Sequence, residues 1–176
     1  MSNVLCETDG TGNITAYFVG GSGAAYENQL GLLINGVPSA AGFGLDNHTS
    51  SIGASFVLGN VTAGDNLTFV LHNLTLQDYA YSDPARNTSY DTDGSVGHNH
   101  VYSTPYTATS PIFAGVPVGT YVAFEDLRFP SSDFNYNDES FVFTNVATST
   151  VPEPITMLLL GSGLIGLWGV RRKFKK

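Results

Sequence analysis

The chain has 176 residues and a formal net charge of −8, with 42% hydrophobic and only 12% charged residues. That hydrophobic share supports a core and excludes wholesale disorder, while the shortage of Lys, Glu and Arg together with 20 glycines excludes a coiled coil. A pI of about 4.6 excludes nucleic-acid binding through a basic face. Charge is divided along the chain: residues 1–150 hold two cations, Arg86 and Arg128, against fourteen acids, and the last 26 residues hold five cations against Glu153 alone.

Three regions follow in order: an N-terminal segment (1–15), an acidic domain (16–150) and a C-terminal tail (151–176). Within the body, apolar and polar residues alternate with period two, and no stretch carries a 3.6 period over eleven residues. Strands are predicted at Asn13–Val19, Gln29–Ile34 (ended by the turn pair Asn35-Gly36), Ser51–Leu58 (closed by Gly59-Asn60) and Asn66–Leu76. In the last of these, Leu67, Phe69 and Leu71 share one face. Asp78–His100 is a long polar insertion of the kind that is functional or tied down when ordered. His100–Tyr106, Thr120–Asp126 and Ser140–Val146 complete the set. Short strands at this spacing predict an all-β fold, an antiparallel β-sandwich. One cysteine rules out a disulfide framework, so packing, or a metal, must hold the body together. Six Asn-x-Ser/Thr triplets begin at Asn13, Asn47, Asn60, Asn66, Asn73 and Asn87, and read as an Asn/Thr-rich β surface rather than as glycosylation sites.

The densest polar stretch is Glu125-Asp126 followed by Asp133-Phe134-Asn135-Tyr136-Asn137-Asp138-Glu139. If extended, Asp133, Asn135 and Asn137 present oxygens to one side, which is how calcium loops supply ligands at alternate positions. An EF-hand is excluded, because Asp138 stands where its Gly belongs and Thr144 where its Glu belongs. Glu125 and Asp126 cannot both point inward from one regular strand, so either one of them binds or the strand breaks there. The candidate metal ligands are Glu125, Asp126, Asp133, Asn135, Asn137 and Asp138, with calcium the expected ion. The bland alternative is a solvated acidic turn held by Asx bonds. In a second cluster, Asp91-Thr92-Asp93-Gly94 with His98-Asn99-His100, the His-x-His pair would suit zinc or copper but lacks a third ligand nearby in sequence, so His98 or His100 is expected to hydrogen-bond to the acidic cluster.

Catalysis finds little support. The chain has no Gly-x-Ser-x-Gly elbow, phosphate loop or His-Glu-x-x-His. Paired carboxylates do suit glycoside hydrolysis, with Glu125 and Asp133 or Asp138 as the conceivable pair, so a glycan-active enzyme stands as an alternative to the non-enzymatic reading. A metal-free structural protein anchored in the membrane is the other.

In the tail, Val151-Pro152-Glu153-Pro154 is a stiff linker. Ile155–Val170 carries no charge, and as a helix it spans ~24 Å, slightly short of a ~30 Å hydrocarbon core. Snorkelling Lys and Arg stems cover the deficit. Glycines at 161, 163, 166 and 169 allow close helix packing, and Trp168 lies where aromatic residues favour the interface. Arg171, Arg172, Lys173, Lys175 and Lys176 then form a stop-transfer cluster that stays cytoplasmic, leaving the body outside the inner membrane. One C-terminal transmembrane helix, residues 155–170, is therefore expected.

Pro152-Glu153-Pro154, a Gly-containing apolar helix and a basic cluster headed by Arg171, Arg172 and Lys173 resemble the bacterial PEP-CTERM sorting signal. The resemblance implies export, transient inner-membrane anchoring, and processing by an exosortase, a membrane protease, near Pro152–Pro154. It also implies a bacterium that makes exopolysaccharide. An exported protein needs a leader, and Met1–Gly20 has neither a basic n-region nor an apolar h-region. The natural start is therefore expected to lie upstream.

The run Phe124-Glu125-Asp126 … Asp133 … Asn137-Asp138 … Phe141-Val142-Phe143 is similar to the ending of domain-of-unknown-function family 4114. Weaker landmarks lie at Asn28–Gly31 and Asp93–His98. The family's acidic residues correspond to Glu125, Asp126, Asp133, Asn137 and Asp138, and a polar pair, Glu139-Ser140, is inserted before the apolar exit. The resemblance implies a secreted surface domain. Taken together, the expectation is an exported, calcium-stabilised β-sandwich of the envelope or extracellular matrix that contacts exopolysaccharide or matrix proteins.

Overall fold

A computed structural model describes residues 5–8, 10–21, 23–94, 97–107, 113 and 115–149. Among these the chain is all-β and antiparallel. Its twelve strands are β1 (Leu5–Thr8), β2 (Gly12–Gly20), β3 (Asn28–Ile34), β4 (Val37–Pro38), β5 (Gly44–Asp46), β6 (Ser55–Val61), β7 (Asn66–Asn73), β8 (Asp78–Tyr81), β9 (Val101–Tyr106), β10 (Gly119–Phe124), β11 (Glu139–Thr144) and β12 (Val146–Ser149). One sheet has the order β6-β2-β11-β10-β9. The other runs β12-β1-β7-β3-β4, with β5 also paired to β3 and β8 to β7.

The two sheets face each other across one core. Alternation sends Ile14, Ala16 and Phe18 of β2 and Phe141 and Phe143 of β11 inward from the first sheet. Leu30 and Leu32 of β3 and Leu67, Phe69 and Leu71 of β7 meet them from the second, on the face their spacing predicts. Phe69 and Phe143 touch across the sandwich with ring centroids 4.2 Å apart. Each such fully buried side chain contributes roughly 1.5–3 kcal/mol. On the outer face of the first sheet Val116 covers Val19 and Val142.

The predicted strands all form, and their limits move for local reasons. Asn35 and Gly36 both take positive φ (51° and 81°), the geometry a tight hairpin requires, and so join β3 to β4. Gly59-Asn60 does not close β6, which continues to Val61. A bulge there absorbs Leu58, with Ile14 paired to Gly59 and Thr15 to Val57. β7 stops at Asn73, whose Oδ1 accepts the Leu76 N–H at 2.8 Å. β1, β4, β5, β8 and β12 are additional strands, and the β structure begins at Leu5, ahead of residue 16. β1 pairs with β12, so both ends of the body close on each other.

No helix among the described residues is long and apolar enough to cross a membrane. The predicted transmembrane helix at 155–170, and with it Pro152, Glu153, Pro154, Arg171, Arg172 and Lys173, lies outside the described residues.

A buried carboxylate cluster at one end of the sandwich as the candidate cation site

β10 ends at Phe124, so Glu125 and Asp126 leave the strand geometry that would have sent one of them outward. The Glu125 N–H still bonds to the His100 carbonyl at 2.9 Å. The next residue turns: the Asp126 N–H donates to Asp138 Oδ2 at 2.9 Å, and Tyr90 Oη donates to the Asp126 carbonyl. Both acidic side chains are consequently buried, Glu125 fully and Asp126 to 2% exposure. With Asp138 they bring one carboxyl oxygen each within 4.8 Å of the others.

The surroundings offer these oxygens few protons. Glu125 Oε1 accepts the Leu127 N–H at 3.0 Å, while Oε2 is buried with no partner. Asp126 Oδ2 accepts Asn28 Nδ2 at 2.7 Å. Arg128, the cation nearest in sequence, turns away: it pairs with Asp78 at 2.7 Å and lies over the Tyr90 ring. Burial pushes Glu125 up to about 7, against the Leu127 N–H and with the help of Asp138 and Asp133. Burial likewise pushes Asp126 up to about 7, against Asn28 and with the help of Asp138. Carboxyl groups shifted this far by burial and mutual repulsion want a proton or a cation.

Of the six predicted ligands, the fold thus unites Glu125, Asp126 and Asp138. Asp133 stands near Glu125. Asn135 and Asn137 are exposed. The segment is not extended, because Phe134 and Tyr136 take positive φ (53° and 52°). The Asn135 side chain is spent locally, its Nδ2 reaching Asp133 Oδ2 at 2.7 Å and its Oδ1 accepting the Asn137 N–H at 3.0 Å, and the Asn135 N–H reaches Asp133 Oδ1 at 3.2 Å. The Tyr136 hydroxyl, held above its usual range by burial and by Glu125, donates to the Asn99 carbonyl at 3.2 Å.

The second cluster braces the first. His100 is fully buried; its Nδ1 lies 3.0 Å from the Glu125 carbonyl and its Nε2 3.0 Å from Asp91 Oδ1. Asp91 also accepts the N–H groups of His98 and Phe129 at 2.8 and 2.9 Å. Both ring nitrogens of His100 are therefore engaged. His98 stacks on Phe129 and pairs with Asp93 instead. The polar insertion is pinned by Asn87, which is fully buried and bonds to both backbone groups of Tyr81 and to the His98 carbonyl. Asn47 and Asn73 are equally buried, which accounts for three of the six Asn-x-Ser/Thr triplets as structural residues.

Sequence reasoning missed Glu139, Asp46, Asn28 and Asn47, which line the same end of the sandwich. The Asn28 N–H bonds to Asn47 Oδ1 at 2.8 Å, and Asp46 Oδ1 caps the turn by accepting the His48 and Thr49 N–H groups. Glu139 stood at the end of the densest polar stretch, Asn28 in a weak family landmark and Asn47 in an Asn-x-Thr triplet, but no local pattern marked any of the four as facing the carboxyl cluster.

An acidic, oxygen-lined site in an all-β antiparallel body is what the fold defines. The tail adds a particular: residues 150–173 match the PEP-CTERM protein-sorting motif. Such signals belong to exported proteins and are processed by an exosortase, a membrane protein, so the chain is directed to the cell envelope or beyond. The match covers the tail alone, and the likeness of the body to domain-of-unknown-function family 4114 gains no support from it. No curated protein and no solved structure matches the chain.

Proposed function

We propose that the body is a non-enzymatic, calcium-stabilised module of the envelope or extracellular matrix, carried out of the cytoplasm and held at the inner membrane by its tail until an exosortase removes it. The observation that carries the calcium reading is the convergence of Glu125, Asp126 and Asp138 within 4.8 Å in a buried setting with an orphaned carboxylate oxygen. The donors are oxygens throughout, and a hard cation such as calcium takes six to eight of them. Burial favours binding over hydrolysis, because a glycosidase needs its two carboxyls open to a sugar and a water. Calcium titration of the chelated, detergent-solubilised chain should give saturable heat. At about 100 times Kd it should also give a stability gain of about 2.7 kcal/mol, or ~5–10 °C in Tm. No heat and no shift would discard the reading.

Contact with polysaccharide is supported by a row of rings on the other sheet's outer face. His72 and Tyr79 stack with centroids 4.6 Å apart, and Phe43 lies 5.9 Å from Tyr79. Phe43 and Tyr79 are 41% and 37% exposed, beside a cavity of ≈ 200 Å³ lined by Leu33, Pro38 and Val70. Exposed ring faces with polar edges suit the apolar faces of sugars. Tyr79→Ala should lessen retardation in gels cast with the host's exopolysaccharide; equal mobility of the two proteins would count against this face.

A further inference from the structure

On the outer face of the sheet that holds β3, β7 and β8, the ring row borders a cavity with a charge at its end. Leu33 and Val70, pointing outward from β3 and β7, form the floor. The chain from Pro38 to Phe43 makes one wall, and Tyr79 and Tyr81 of β8 make the other. Phe43 can lie against β3 because Gly31 has no side chain; a Cβ there would stand 2.5 Å from the ring. At ≈ 200 Å³ the cavity is smaller than the roughly 300–1,000 Å³ that hold a drug-sized ligand, so it takes one ring of a chain and leaves the rest outside.

Arg86 supplies the charge. Its guanidinium carbon lies 5.9 Å from the Tyr81 ring centroid, and a terminal nitrogen lies 3.4 Å from where a Cβ on Gly36 would stand. The guanidinium thus spans from β8 to the hairpin that carries Pro38. Of the two arginines in residues 1–150, Arg128 is spent on Asp78 at 2.7 Å. Among the described residues Arg86 has one ion pair, Nε to Asp83 at 3.6 Å, and both side chains are well exposed. Asp83 already caps the turn at Pro84–Arg86 by accepting the Ala85 N–H at 3.0 Å. An exposed pair of this kind is weak, so the guanidinium fork stays available to a carboxylate, whose two oxygens it matches in parallel bonds. His72, held below its usual range by burial, joins the ring row uncharged at neutral pH.

We infer that this face selects sugars that bear a carboxylate, the uronate type found in acidic polysaccharides, with one ring seated between Phe43 and the two tyrosines and its carboxylate on Arg86. This rests on the polysaccharide reading of the same rings and adds the charge class of the sugar. Ring faces alone accept neutral and acidic sugars alike. The body as a whole opposes an anion, with two cations against fourteen acids in residues 1–150. Physiological salt confines that repulsion to ~8 Å, so a carboxylate seated on Arg86 answers to Arg86 first.

The test is the Kd of the detergent-solubilised full-length protein, in physiological salt, for the host's exopolysaccharide immobilised on a sensor surface, native or with its carboxyls reduced to alcohols. Wild type should bind the reduced polymer about tenfold more weakly, the loss of one charge-assisted contact. Net charge alone predicts the opposite order. Arg86→Gln should bind both polymers equally, and Arg86→Lys should keep part of the preference. Wild-type binding to the reduced polymer that is equal or tighter overturns carboxylate selection and leaves the polysaccharide reading standing. A full preference in Arg86→Gln overturns the placement on Arg86, the result that calcium bridging acid to acid would give. No binding to either polymer overturns both readings.

Discussion

At the scale of single residues, the same stretch of chain contains polar side chains of two kinds. Asp133 and Asn135 are exposed and satisfy neighbouring N–H groups and each other, whereas Glu125 and Glu139 are buried with oxygens left over and Asp126 is buried against Asn28. Asp126→Asn should therefore abolish the calcium-dependent rise in Tm, while Asn135→Ala should leave it within ~0.5 kcal/mol of wild type; thermal melts with and without calcium separate the two. The raised carboxyls also set a pH dependence. Glu125 and Asp126 shift from 4.5 and 3.8 to about 7 on folding, so in that window the folded chain binds more protons than the unfolded one. In chelator, stability should then fall as pH rises from about 4 to about 7. In calcium the slope should reverse, because only ionised carboxylates are ligands. Melts across that range that rise with pH in chelator would contradict the assignment.

Among elements, the site depends on where β10 stops and on what grips the chain beyond it. Tyr90, from the loop after β8, reaches the Asp126 carbonyl with its hydroxyl and accepts Asn73 Nδ2 at 3.4 Å. Its hydroxyl is held well above the usual range, chiefly by burial. His100, just before β9, grips the Glu125 carbonyl in the same way. The polar insertion is thus a buttress for the two acids rather than a free loop. Tyr90→Phe removes the donor and leaves a buried carbonyl unsatisfied, which should cost about 1–3 kcal/mol. It should also weaken calcium binding, since Asp126 is no longer pinned; calorimetry on the variant reads both effects.

For the whole molecule, the body and the tail answer to different physics. The body closes around one core with β1 paired to β12, so its chain ends leave from the same sheet. The tail carries a sorting motif at residues 150–173. Replacing Arg171, Arg172 and Lys173 with serine removes most of the stop-transfer charge, and replacing Pro152-Glu153-Pro154 with alanine removes the linker. Immunoblots of cell fractions should show the first variant failing to be retained for processing and the second accumulating uncleaved in the membrane. Processing of both at the wild-type rate would sever the tail from the proposed route.

The sequence by itself determined what depends on neighbours along the chain. Period-two alternation marked the strands, Asn35-Gly36 marked the hairpin, and the order of prolines, apolar run and cations marked the tail, because membrane and sorting machinery read hydrophobicity and charge in linear order. It also drew attention to Glu125, Asp126 and Asp138 through sheer acid density. Tertiary structure alone decided which oxygens meet. Asn28 lies 98 residues from Asp126 in the chain and touches it because β3 and the end of β10 face each other across the sandwich. Asn135, adjacent to the site in sequence, is turned to Asp133 and the Asn137 N–H in a segment with two residues of positive φ. Local density counts candidate ligands; the distance between two sheets selects among them, and no short-range pattern encodes that distance.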